Sequence, residues 1–516
     1  MKILSAAQMY TWEQITMKSQ NLAPAELMER AAEALFQAIQ QYVGERQASF
    51  VILCGFGNNG GDGLAVGRML YNAGHTVKIY LLAHTSYSAE NQINQQRLHE
   101  IDIPILSITT ESQLEFPEKS ILIDALFGYG LSRQLDDNWK ELIDQINTAS
   151  NPVLSVDIPS GLFADNPTPL EAPIIQANMT YTFACPKLSL LFPKYAPFSG
   201  SFNVLDIGLD KDIQYSIPTT YHYTQKEEIQ LFVKPLEKFT HKGTYGHSCI
   251  IGGSYGSIGA IILASKGSLK SGCGMITTYL PACGYAIVQS AFPEAQVQTD
   301  TAETHISMIP DQITKYQAIG IGMGMGTHPD TENALLQLFE RLKLMSAPPA
   351  LLLDADAINI LAKNPDWHAL IPSHSILTPH PKELERLIGS WVDDFEKIKK
   401  VREWSSHYKQ IVVVKGANSA IILPDGNVHF NSTGNPGMAT GGSGDVLSGI
   451  ITALLAQHHA PTNAALLGVY LHGLAGDIAA TSIHEKSITA TDIINHLSAA
   501  WQHISSGYHS KRDLLR

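Results

Sequence analysis

The segment FVILCGFGNNGGDGLAVGRML, residues 50–70, indicates the fold of the N-terminal half. It begins with the short apolar run of a buried strand, passes through a glycine-rich turn and ends in a helical pattern. Gly55, Gly57 and Gly60 satisfy the GxGxxG spacing. That spacing permits a tight turn and places backbone N–H groups at a helix N-terminus, where a phosphate is favoured. The segment therefore predicts a strand–turn–helix unit of a parallel α/β sheet.

Short apolar runs alternate with helical patterns on both sides of this segment, which predicts an α/β doubly wound sheet. In the first half we predict strands at Phe50–Leu53, Lys78–Leu82, Ile121–Asp124, Val153–Asp157 and Thr180–Phe183, with helices over Ala25–Tyr42 and Trp139–Thr148. The chain is polar and irregular from Asp210 to Lys242, which predicts a domain boundary within residues 211–225.

A second α/β series follows this boundary. It predicts strands at Ser248–Ile251, Met275–Tyr279, Ala318–Ile321, Ala350–Asp354, Ile376–Thr378, Ile411–Lys415 and Ser419–Leu423. A long apolar helix is expected from near Asp445 through Leu455. We therefore expect two domains, a Rossmann-like doubly wound domain over residues 1–215 and a second α/β domain over residues 225–510.

The composition is that of a compact globular protein. Hydrophobic residues make up 44% of the 516 positions and charged residues 16%. The formal net charge of −13 disfavours a general binder of nucleic-acid backbones. No uninterrupted apolar run approaches the ~18 residues of a membrane helix. We therefore expect a small-molecule ligand, with neither nucleic acid nor membrane as a partner.

The cysteines favour a reducing compartment. The five cysteines are scattered, odd in number and without any CxxC spacing, which argues against a disulfide framework or a zinc site. The N-terminal residues MKILSAAQMYTWEQ turn polar too early for a signal peptide. We therefore expect the cytoplasm.

The glycine-rich turn does not complete a dehydrogenase cofactor site. The ribose-binding acid expected about 20 residues further on is missing, because the next strand ends at Tyr80–His84. Asp62 also lies inside the turn, where its charge would oppose a bound phosphate. An ordinary dinucleotide cofactor is therefore a poor match.

Polar side chains follow three strands of the first domain. Asn59 and Asp62 follow one strand, Asp124 ends another, and Asp157 precedes Ser160 after a third. The carboxyl ends of strands line the ligand crevice of a doubly wound sheet, so we expect these side chains to converge. Their oxygen atoms suit a hard cation. Each aspartate taken singly fits a helix or turn cap equally well, but three such clusters favour a site.

Four segments of the first half carry a family resemblance: NNGGDG from Asn58, DALFGYGLSR from Asp124, VDIPSG from Val156 and TFACPKLSLLFP from Thr182. Together they resemble the YjeF N-terminal family, the NAD(P)H-hydrate epimerases, over about residues 1–210. The resemblance implies that the hydrated nucleotide is contacted by Asn58, Asn59, Gly60, Gly61, Asp62, Gly128, Tyr129, Gly130, Leu131, Ser132, Arg133 and Gln134.

The same resemblance implies a K⁺ ion held by Asn59, Asp124 and Ser160, with Asp157 touching the substrate. Asp157 is a reasonable general acid/base for making and breaking the carbon–hydroxyl bond at the epimerised centre. Lys187 matches a lysine of the family, although a lone lysine is more often a surface charge.

The segment NSTGNPGMATGGSGDVLSGIITALL, residues 431–455, is the most informative part of the second half. Gly441, Gly442 and Gly444 precede an apolar helix, so backbone N–H groups and the helix dipole can form an anion hole. The segment is not a Walker A loop, because no Gly-Lys-Ser/Thr closes it. Asp445 is either the helix N-cap or a base that deprotonates a substrate hydroxyl while the amides stabilise a transferring phosphoryl group.

Further polar or glycine-rich turns follow other strands of this half. They are HKGTYGHSCIIGGSYGSIGA (241–260), GIGMGMGTHP (320–329), LLLDADAINIL (351–361) with Asp354 and Asp356, LTPHPKELERLIG (377–389) with His380, and IVVVKGANSAII (411–422) with Lys415. His380 alone would fit a structural role and Asp354 alone a cap. Their repeated position after strands favours a crevice.

These motifs resemble the ribokinase-like fold and, more closely, the YjeF C-terminal family of ADP-dependent NAD(P)H-hydrate dehydratases, over about residues 226–505. The resemblance implies Asp445 as the catalytic base, and Mg²⁺ and ADP as cofactors. It implies contacts to the hydrated nucleotide from Ala260, Gly324, Gly326 and His380, and to ADP from Lys415, Gly416, Ala417, Asn418, Ser419 and Gly444. Met323, where the family usually has proline, and Cys273–Met275, where Ala-Gly-Leu is usual, depart from the family pattern.

The combined resemblance implies a bifunctional repair enzyme. The first domain would interconvert the R and S epimers of the hydrates NADHX and NADPHX, and the second would dehydrate the S form to NAD(P)H at the expense of ADP, giving AMP and phosphate. We also expect a homo-oligomer. One alternative is a ribokinase-like small-molecule kinase fused to a nucleotide-binding regulatory domain, which the GGSGD segment also permits. A non-catalytic nucleotide sensor is a second alternative, which the acidic strand ends disfavour.

Overall fold

The computed structural model describes residues 1–506, which divide into two compact units. The first consists of Met1–Tyr221 together with Asp393–Phe395, and the second of His222–Val392 together with the residues from Glu396 onward. Each unit is built around one β-sheet. None of the helices within residues 1–506 is long and apolar enough to cross a membrane.

The first unit alternates strands with helices along the chain. Its strands are β1 (Ser49–Cys54), β2 (Thr76–Leu82), β3 (Ile105–Ile108), β4 (Ile121–Ala125), β5 (Val153–Val156), β6 (Met179–Phe183) and β7 (Ser201–Leu205). Its helices are α1 (Ala6–Gln20), α2 (Pro24–Val43), α3 (Asn58–Asn72), α4 (Ala89–His99), α5 (Lys140–Thr148), α6 (Ala196–Ser199) and α7 (Lys211–Ser216).

The strands of the first sheet all run parallel, in the order β3-β2-β1-β4-β5-β6-β7. β4 is buried at every residue and β1 at every residue after Ser49, as expected for central strands covered on both faces. The chain order reverses between β1 and β4. Ligands of doubly wound sheets bind beyond the carboxyl ends of the strands at such a reversal, so the fold predicts a site there.

The second unit repeats the alternation with a larger sheet. Its strands are β8 (Tyr221–Thr224), β9 (His247–Ile251), β10 (Met275–Leu280), β11 (Gln296–Thr299), β12 (Ala318–Ile321), β13 (Ala350–Leu353), β14 (Ile376–Leu377), β15 (Ile411–Val414), β16 (Ala420–Ile422) and β17 (Val428–Asn431). Its helices are α8 (Lys226–Gln230), α9 (Ile258–Lys270), α10 (Tyr285–Ala291), α11 (Pro329–Lys343), α12 (Asp356–Lys363), α13 (Pro381–Ile388), α14 (Asp394–Tyr408), α15 (Ser443–Ala456), α16 (Pro461–Ala480) and α17 (Ala490–Ser505).

The second sheet has the order β11-β10-β9-β12-β13-β14-β15-β16-β17-β8. The strands from β11 to β15 in this order pair in parallel, whereas β16 pairs antiparallel with both β15 and β17. The chain order reverses between β9 and β12. The carboxyl ends of β9, β12, β13, β14 and β15 therefore meet at one edge, and the turns that contain Gly322, Asp354 and Lys415 lie there.

Helix α15 lies in the core of the second unit. Nearly all of its residues are buried, as expected for a helix without a polar face. It packs closely on α9, because a Cβ added to Gly449 would lie 1.9 Å from the Ala264 carbonyl oxygen. Only glycine permits this approach of the two backbones. The contact fixes the position of α15, and with it the direction in which its N-terminus points.

The predicted α/β class and the doubly wound N-terminal unit are confirmed, the second unit is α/β as expected, and every predicted strand ends within two residues of an observed one. The expectation that Asp210–Lys242 is irregular is wrong, because α7, β8 and α8 form within it. Four of the strands that sequence patterns missed, β3, β7, β8 and β11, are the edge strands of the two sheets. They are only partly buried, so their apolar runs are weak.

Candidate active sites

A cavity of about 1180 Å³ lies in the first unit at the carboxyl edge of its sheet. It adjoins the ends of β1, β4 and β5, where the strand order reverses. The sequence-predicted residues that line it are Asn58, Asn59, Asp62, Gly128, Tyr129, Gly130, Leu131, Ser132, Arg133, Gln134 and Asp157. Gly60 and Gly61 lie behind this wall, buried in the first turn of α3.

The glycine-rich turn between β1 and α3 brings backbone against backbone. A Cβ on Gly55 would lie 1.9 Å from the Leu126 carbonyl oxygen, and a Cβ on Gly60 would lie 1.9 Å from the Gly55 carbonyl oxygen. Asp62 is buried in α3, and burial beside Asp157 and Glu13 raises the pKa of its carboxyl well above its ordinary value. The side chain therefore tends to be neutral, which weakens the objection that its charge would repel a phosphate.

Asp157 forms the most deeply buried ion pair of the first unit's cavity. Its Oδ1 lies 2.5 Å from Lys187 Nζ, and both side chains are almost fully buried. The Tyr129 backbone N–H donates to Asp157 Oδ2 at 3.0 Å. Asp157 also adopts a φ of 67°, in the left-handed region that is costly for a residue with a side chain. Lys187 is thus an internal counter-ion rather than a surface charge.

Asp124 and Ser160 meet beneath the cavity, as predicted. The Ser160 Oγ donates to Asp124 Oδ1 at 2.6 Å, and the Ser160 N–H donates to Asp124 Oδ2 at 2.9 Å. Asp124 is fully buried, which raises the pKa of its carboxyl even though these hydrogen bonds oppose the rise. The third predicted ligand, Asn59, approaches Gly128 so closely that a Cβ there would lie 3.1 Å from Asn59 Oδ1.

The donor set of Asn59, Asp124 and Ser160 fits a hard cation. It consists of carboxylate, hydroxyl and amide oxygens, the atoms that such cations prefer. Within residues 1–506 the buried Asn59 Nδ2 has no hydrogen-bond partner. A bound ion on the amide oxygen would explain why the side chain is held in this position. The cavity side of Asn59 faces the loop that begins at Gly128, so an ion held there would also order that loop.

Glu13 is a cavity residue that no sequence motif indicates. It lies on α1, far from every motif, and lines the same cavity as Asp157. The Tyr129 hydroxyl donates to its Oε2 at 3.0 Å. Burial raises the pKa of Glu13 to about 7, with the Tyr129 hydrogen bond opposing the rise and Asp157 adding to it. In the sequence Glu13 is a lone glutamate within a helical pattern, which is typical of a solvent-exposed helix face.

In the second unit, the turn after β12 depends on glycines with left-handed backbone. Gly322 has a φ of 127°, and a Cβ there would lie 1.8 Å from the Asp354 carbonyl oxygen. Gly324 has a φ of 61° and lies against Ala260, so these two predicted substrate residues are neighbours. The Gly326 N–H donates to Asp356 Oδ2 at 2.9 Å, which ties the turn to the end of β13.

Met323, the main departure from the family pattern in this turn, is accommodated without loss of the turn. Its side chain is fully buried, and its carbonyl accepts the Gly253 N–H at 2.8 Å. The turn after β12 is thereby joined to the turn after β9.

Lys415, at the end of β15, is bound to the acidic end of β13. Its Nζ lies 2.9 Å from Asp354 Oδ1, while Ser448 Oγ donates to Asp354 Oδ2 at 2.7 Å. Glu383 lies further from Lys415, at 3.9 Å. Burial alone would lower the pKa of Lys415, but Asp354 and Glu383 raise it above its ordinary value, so the side chain keeps its charge.

Asp445 lies in the first turn of α15, after Gly442 with its left-handed φ of 90°. The same turn brings Gly444 against Lys415, because a Cβ on Gly444 would lie 3.4 Å from Lys415 Nζ. Burial and the neighbouring Asp354 raise the pKa of Asp445 to about 7, and Lys415 opposes the rise. Asp445 is therefore poised to accept a proton at neutral pH, unlike an ordinary solvent-exposed cap.

His380 has a structural task. Its Nδ1 accepts the backbone N–H groups of Lys382 and Glu383 at the start of α13, so it is an N-cap. Its imidazole remains about half exposed at the carboxyl edge of the sheet. The remaining residues that the sequence predicts to bind the nucleotide form the turn between β15 and β16, where the Gly416 N–H donates to Ser419 Oγ at 3.2 Å.

His305, His328 and Asp330 form a separate cluster with metal-ligand chemistry. The two imidazole rings are stacked, with centroids 3.9 Å apart and planes 30° apart. Imidazole lone pairs lie in the ring plane, so stacked rings cannot both direct a lone pair at one ion. His328 Nδ1 also accepts the Asp330 N–H as the N-cap of α11. The cluster therefore stabilises a helix start.

Each unit thus has an acid at the carboxyl edge of a parallel sheet, beside glycine-rich backbone at a helix N-terminus. That arrangement defines an α/β enzyme that performs acid–base chemistry on a phosphate-containing ligand.

Two family models match the chain. One described as YjeF-related protein N-terminus matches residues 24–189, and one described as NAD(P)H-hydrate dehydratase matches residues 248–499. The bifunctional NAD(P)H-hydrate repair enzyme Nnr of Moorella thermoacetica is 34% identical over 96% of this chain and 96% of its own length. The protein of the same name from Escherichia coli is 32% identical over 92% of this chain and 88% of its own length.

The chain belongs to the family of bifunctional NAD(P)H-hydrate repair enzymes. Among solved structures, an ADP/ATP-dependent NAD(P)H-hydrate dehydratase from Bacillus subtilis, co-crystallised with ATP and Mg²⁺, is 28% identical. It covers 55% of this chain and 98% of its own, with a TM-score of 0.48.

Proposed function

We propose that this chain repairs hydrated NADH and NADPH with two active sites. The first interconverts the R and S epimers of the hydrates, and the second converts the S epimer to NAD(P)H, with ADP converted to AMP and phosphate. The observation that carries the proposal is Asp445, an acid with a pKa of about 7 placed beside Lys415 at a glycine-rich helix N-terminus.

In the dehydration, Asp445 takes the proton of the ring hydroxyl as the hydroxyl oxygen attacks the terminal phosphoryl group of ADP. The bond to AMP breaks, which converts hydroxide, a poor leaving group, into phosphate. The ring carbon–oxygen bond then breaks, a proton leaves the neighbouring ring carbon, and the double bond of NAD(P)H forms. The N–H groups at the start of α15 and the Lys415 ammonium stabilise the charge on the phosphoryl oxygens.

The other residues of the second site would orient the two ligands. The turn that contains Gly324 and Gly326, together with Ala260 and His380, would meet the hydrated nucleotide. Residues 415–419 and Gly444 would meet ADP. Mg²⁺ would be held by the carboxylates of Asp356 and Glu383, whose oxygen chemistry fits it, and it would offset the charge of the polyphosphate.

In the epimerisation, Asp157 would act as general acid/base at the hydroxyl-bearing ring carbon, with Lys187 as its ion-pair partner. Residues 58–62 and 128–134 would hold the nucleotide. K⁺ held by Asn59, Asp124 and Ser160 would neutralise the buried carboxylate and order the loop after Gly128.

We further propose domain limits of 1–215 for the epimerase and 225–510 for the dehydratase, of which residues 507–510 lie outside the described part of the chain. We also propose that the enzyme is cytoplasmic and forms a homo-oligomer. Size-exclusion chromatography with light scattering would test the oligomer, and a mass of one chain would contradict it.

The decisive experiment follows the near-ultraviolet absorbance of reduced nicotinamide during incubation of mixed R and S NADPHX with Mg²⁺ and K⁺. Wild type is compared with Asp445→Asn and Asp157→Asn, each with ADP, ATP or no nucleotide. We expect full recovery of NADPH by wild type with ADP, none by Asp445→Asn, and rapid recovery of only the S fraction by Asp157→Asn. No recovery with any nucleotide would contradict the dehydratase, and a stable phosphorylated product would indicate a kinase.

A further inference from the structure

Two carboxyl groups line the epimerase cavity close enough to affect each other's charge. Glu13, from α1, and Asp157, after β5, both lie in its wall. The Tyr129 residue joins them, because its hydroxyl donates to Glu13 at 3.0 Å and its backbone N–H donates to Asp157 at 3.0 Å. An epimerisation in which hydroxide leaves one face of a carbon and water adds to the other needs an acid and a base. The cavity contains a candidate for each.

Asp157 accepts hydrogen bonds at both of its carboxylate oxygens. Its Oδ1 accepts from the Lys187 ammonium at 2.5 Å and from the Phe183 N–H at 3.2 Å. Its Oδ2 accepts from the Tyr129 N–H at 3.0 Å. A carboxylate held by a buried ammonium and two backbone N–H groups is stabilised as an anion. These contacts fix the position of the Asp157 carboxylate at the cavity wall, where it can serve as the partner of a second acid–base group.

The surroundings of Glu13 favour the opposite state. Burial raises the pKa of its carboxyl to about 7, and the Asp157 charge adds to the rise. The Tyr129 hydroxyl and the Lys187 ammonium oppose it. Asp62 also interacts with Glu13, and burial holds the pKa of Asp62 well above its ordinary value. Among these groups, Glu13 is the carboxyl that both carries a proton and can release it near neutral pH.

We propose that Glu13 is a catalytic residue of the epimerase site, the general acid that works opposite the Asp157 base. This inference rests on the proposed function of the first unit. The Glu13 proton passes to the ring hydroxyl, the carbon–oxygen bond breaks with its electron pair on the oxygen, and water leaves. The lone pair of the ring nitrogen forms the C=N bond of an iminium ion. Water then adds to the other face of that carbon and gives its proton to Asp157.

One passage leaves Glu13 ionised and Asp157 protonated, and the two can then work in reverse. Proton exchange with solvent through the open cavity restores the starting state. The reaction is an interconversion of two epimers, so a pair of carboxyls that exchange roles serves both directions equally.

The test uses the full-length enzyme and purified R-NADPHX, and follows conversion of R to S by chromatography in the absence of ADP. The variants are Glu13→Gln, Glu13→Asp and Tyr129→Phe. The control is Glu33→Gln, which removes an exposed acid that accepts only from Gln37 on α2. Circular dichroism and thermal unfolding check that each variant is folded.

We expect Glu13→Gln to lower the rate about 100-fold or more, as for loss of a general acid. Glu13→Asp should restore part of the rate, and Glu33→Gln should match wild type. The wild-type rate should fall as pH rises above about 7, because the acid is lost. Tyr129→Phe should move that fall to higher pH, since it removes a hydrogen bond that lowers the pKa of Glu13.

A Glu13→Gln enzyme that converts R to S at the wild-type rate would overturn the inference. So would a slow Glu13→Gln enzyme combined with an unmoved pH profile in Tyr129→Phe, because a structural role predicts that pair of results. Failure of wild type itself to convert R to S would contradict the proposed epimerase function instead, so the two failures are distinguishable.

Discussion

Asp157 and Asp445 both lie at the carboxyl edge of a sheet, in two different units, yet their surroundings differ in charge. Asp157 has its own buried cation, Lys187, at 2.5 Å. The lysine nearest to Asp445, Lys415, is bound to Asp354 at 2.9 Å. Asp445 is therefore buried near the Asp354 carboxylate, and Lys415 offsets only part of their combined effect. As a result the pKa of Asp445 rises to about 7.

The comparison shows that a carboxylate at the carboxyl edge of a parallel sheet has no fixed chemistry. Its role depends on whether a nearby cation is free to pair with it. In the first unit the pairing stabilises the anion and leaves proton donation to another group, which we assign to Glu13. In the second unit the incomplete pairing makes Asp445 itself a base that titrates near neutral pH.

The largest expected effect is a loss of folding stability when the Lys187 ammonium is removed from the first unit. Lys187→Met leaves Asp157 buried without its partner, which costs about 3–5 kcal/mol of folding free energy. Chemical denaturation with a probe in the first unit would measure it. The matched control is Lys211→Met, because Lys211 pairs with Asp206 at 3.4 Å with both side chains mostly exposed. Such a pair is worth less than about 1 kcal/mol, so equal losses in the two variants would contradict the contrast.

The second-largest effect is expected from removing the charge of Asp445 in the second unit. The pKa of Asp445 is raised from 3.8 to about 7 in the folded chain. Between these pH values the folded chain keeps a proton that the unfolded chain has released, so the wild type loses stability as pH rises through this range. Each pKa unit corresponds to about 1.4 kcal/mol, which gives an upper bound of about 4 kcal/mol above the folded-state pKa. Asp445→Asn should therefore be more stable than wild type at pH about 8, and equal to it at pH about 3.

Thermal unfolding at the two pH values would measure this gain. Asp492→Asn is the control of opposite sign, because hydrogen bonds from Thr489 lower the pKa of Asp492 at the start of α17. That variant should lose stability at the higher pH. A gain in Asp492→Asn similar to that in Asp445→Asn would show that removal of negative charge, rather than burial, is responsible.

The third prediction concerns the pH profile of dehydration. If Asp445 is the base, kcat/KM for the S hydrate should rise with pH through about 7, the pKa that burial and Asp354 produce. Lys415→Met removes the cation that opposes this rise, so the ascending limb should move up by about one pH unit, equivalent to about 1.4 kcal/mol. The position of the limb is the readout, since KM for ADP is also expected to increase. An unmoved limb would argue against coupling between Lys415 and Asp445.

The smallest expected effect is the gain in thermal stability when K⁺ binds to the first unit. A K⁺ ion that binds only the folded state stabilises it by about 1.4 kcal/mol at roughly ten times its dissociation constant. The thermal midpoint of wild type should therefore be higher in potassium chloride than in choline chloride at equal ionic strength. Ser160→Ala, which removes one proposed ligand, should lose this difference. Equal midpoints of wild type in the two salts would contradict a cation site.

Most central strands and the residues at their ends could be predicted from the sequence. β1, β4, β12 and β15 are buried on both faces, so they appear as continuous apolar runs followed by polar or glycine-rich turns. Because such strands are parallel, the turns at their carboxyl ends meet at one edge. That rule predicted that Asp124 and Ser160 converge, and the structure brings them into hydrogen-bond contact.

Glu13 and Lys187 could not be evaluated in this way. The hydrogen bond between Glu13 and Tyr129 joins residues 116 positions apart, and no local pattern records which helix face meets a cavity. A lone lysine looks the same in sequence whether it is solvated or, like Lys187, 1% exposed. His380 shows the converse, since the position that the resemblance assigns to a ligand is a helix N-cap, with Glu383 completing the capping box.

The sequence by itself determined the two α/β units, their central strands and the strand-end residues, because hydrophobic periodicity and glycine-rich turns are local properties of the chain. Only the tertiary structure decided the charge state of each acid, because a pKa depends on burial and on cations brought from distant segments. Lys187 reaches Asp157 across 30 residues and Lys415 reaches Asp354 across 61. Those two pairings distinguish two acids that look alike in the sequence, because Lys187 pairs with Asp157 itself whereas Lys415 pairs with Asp354 rather than with Asp445.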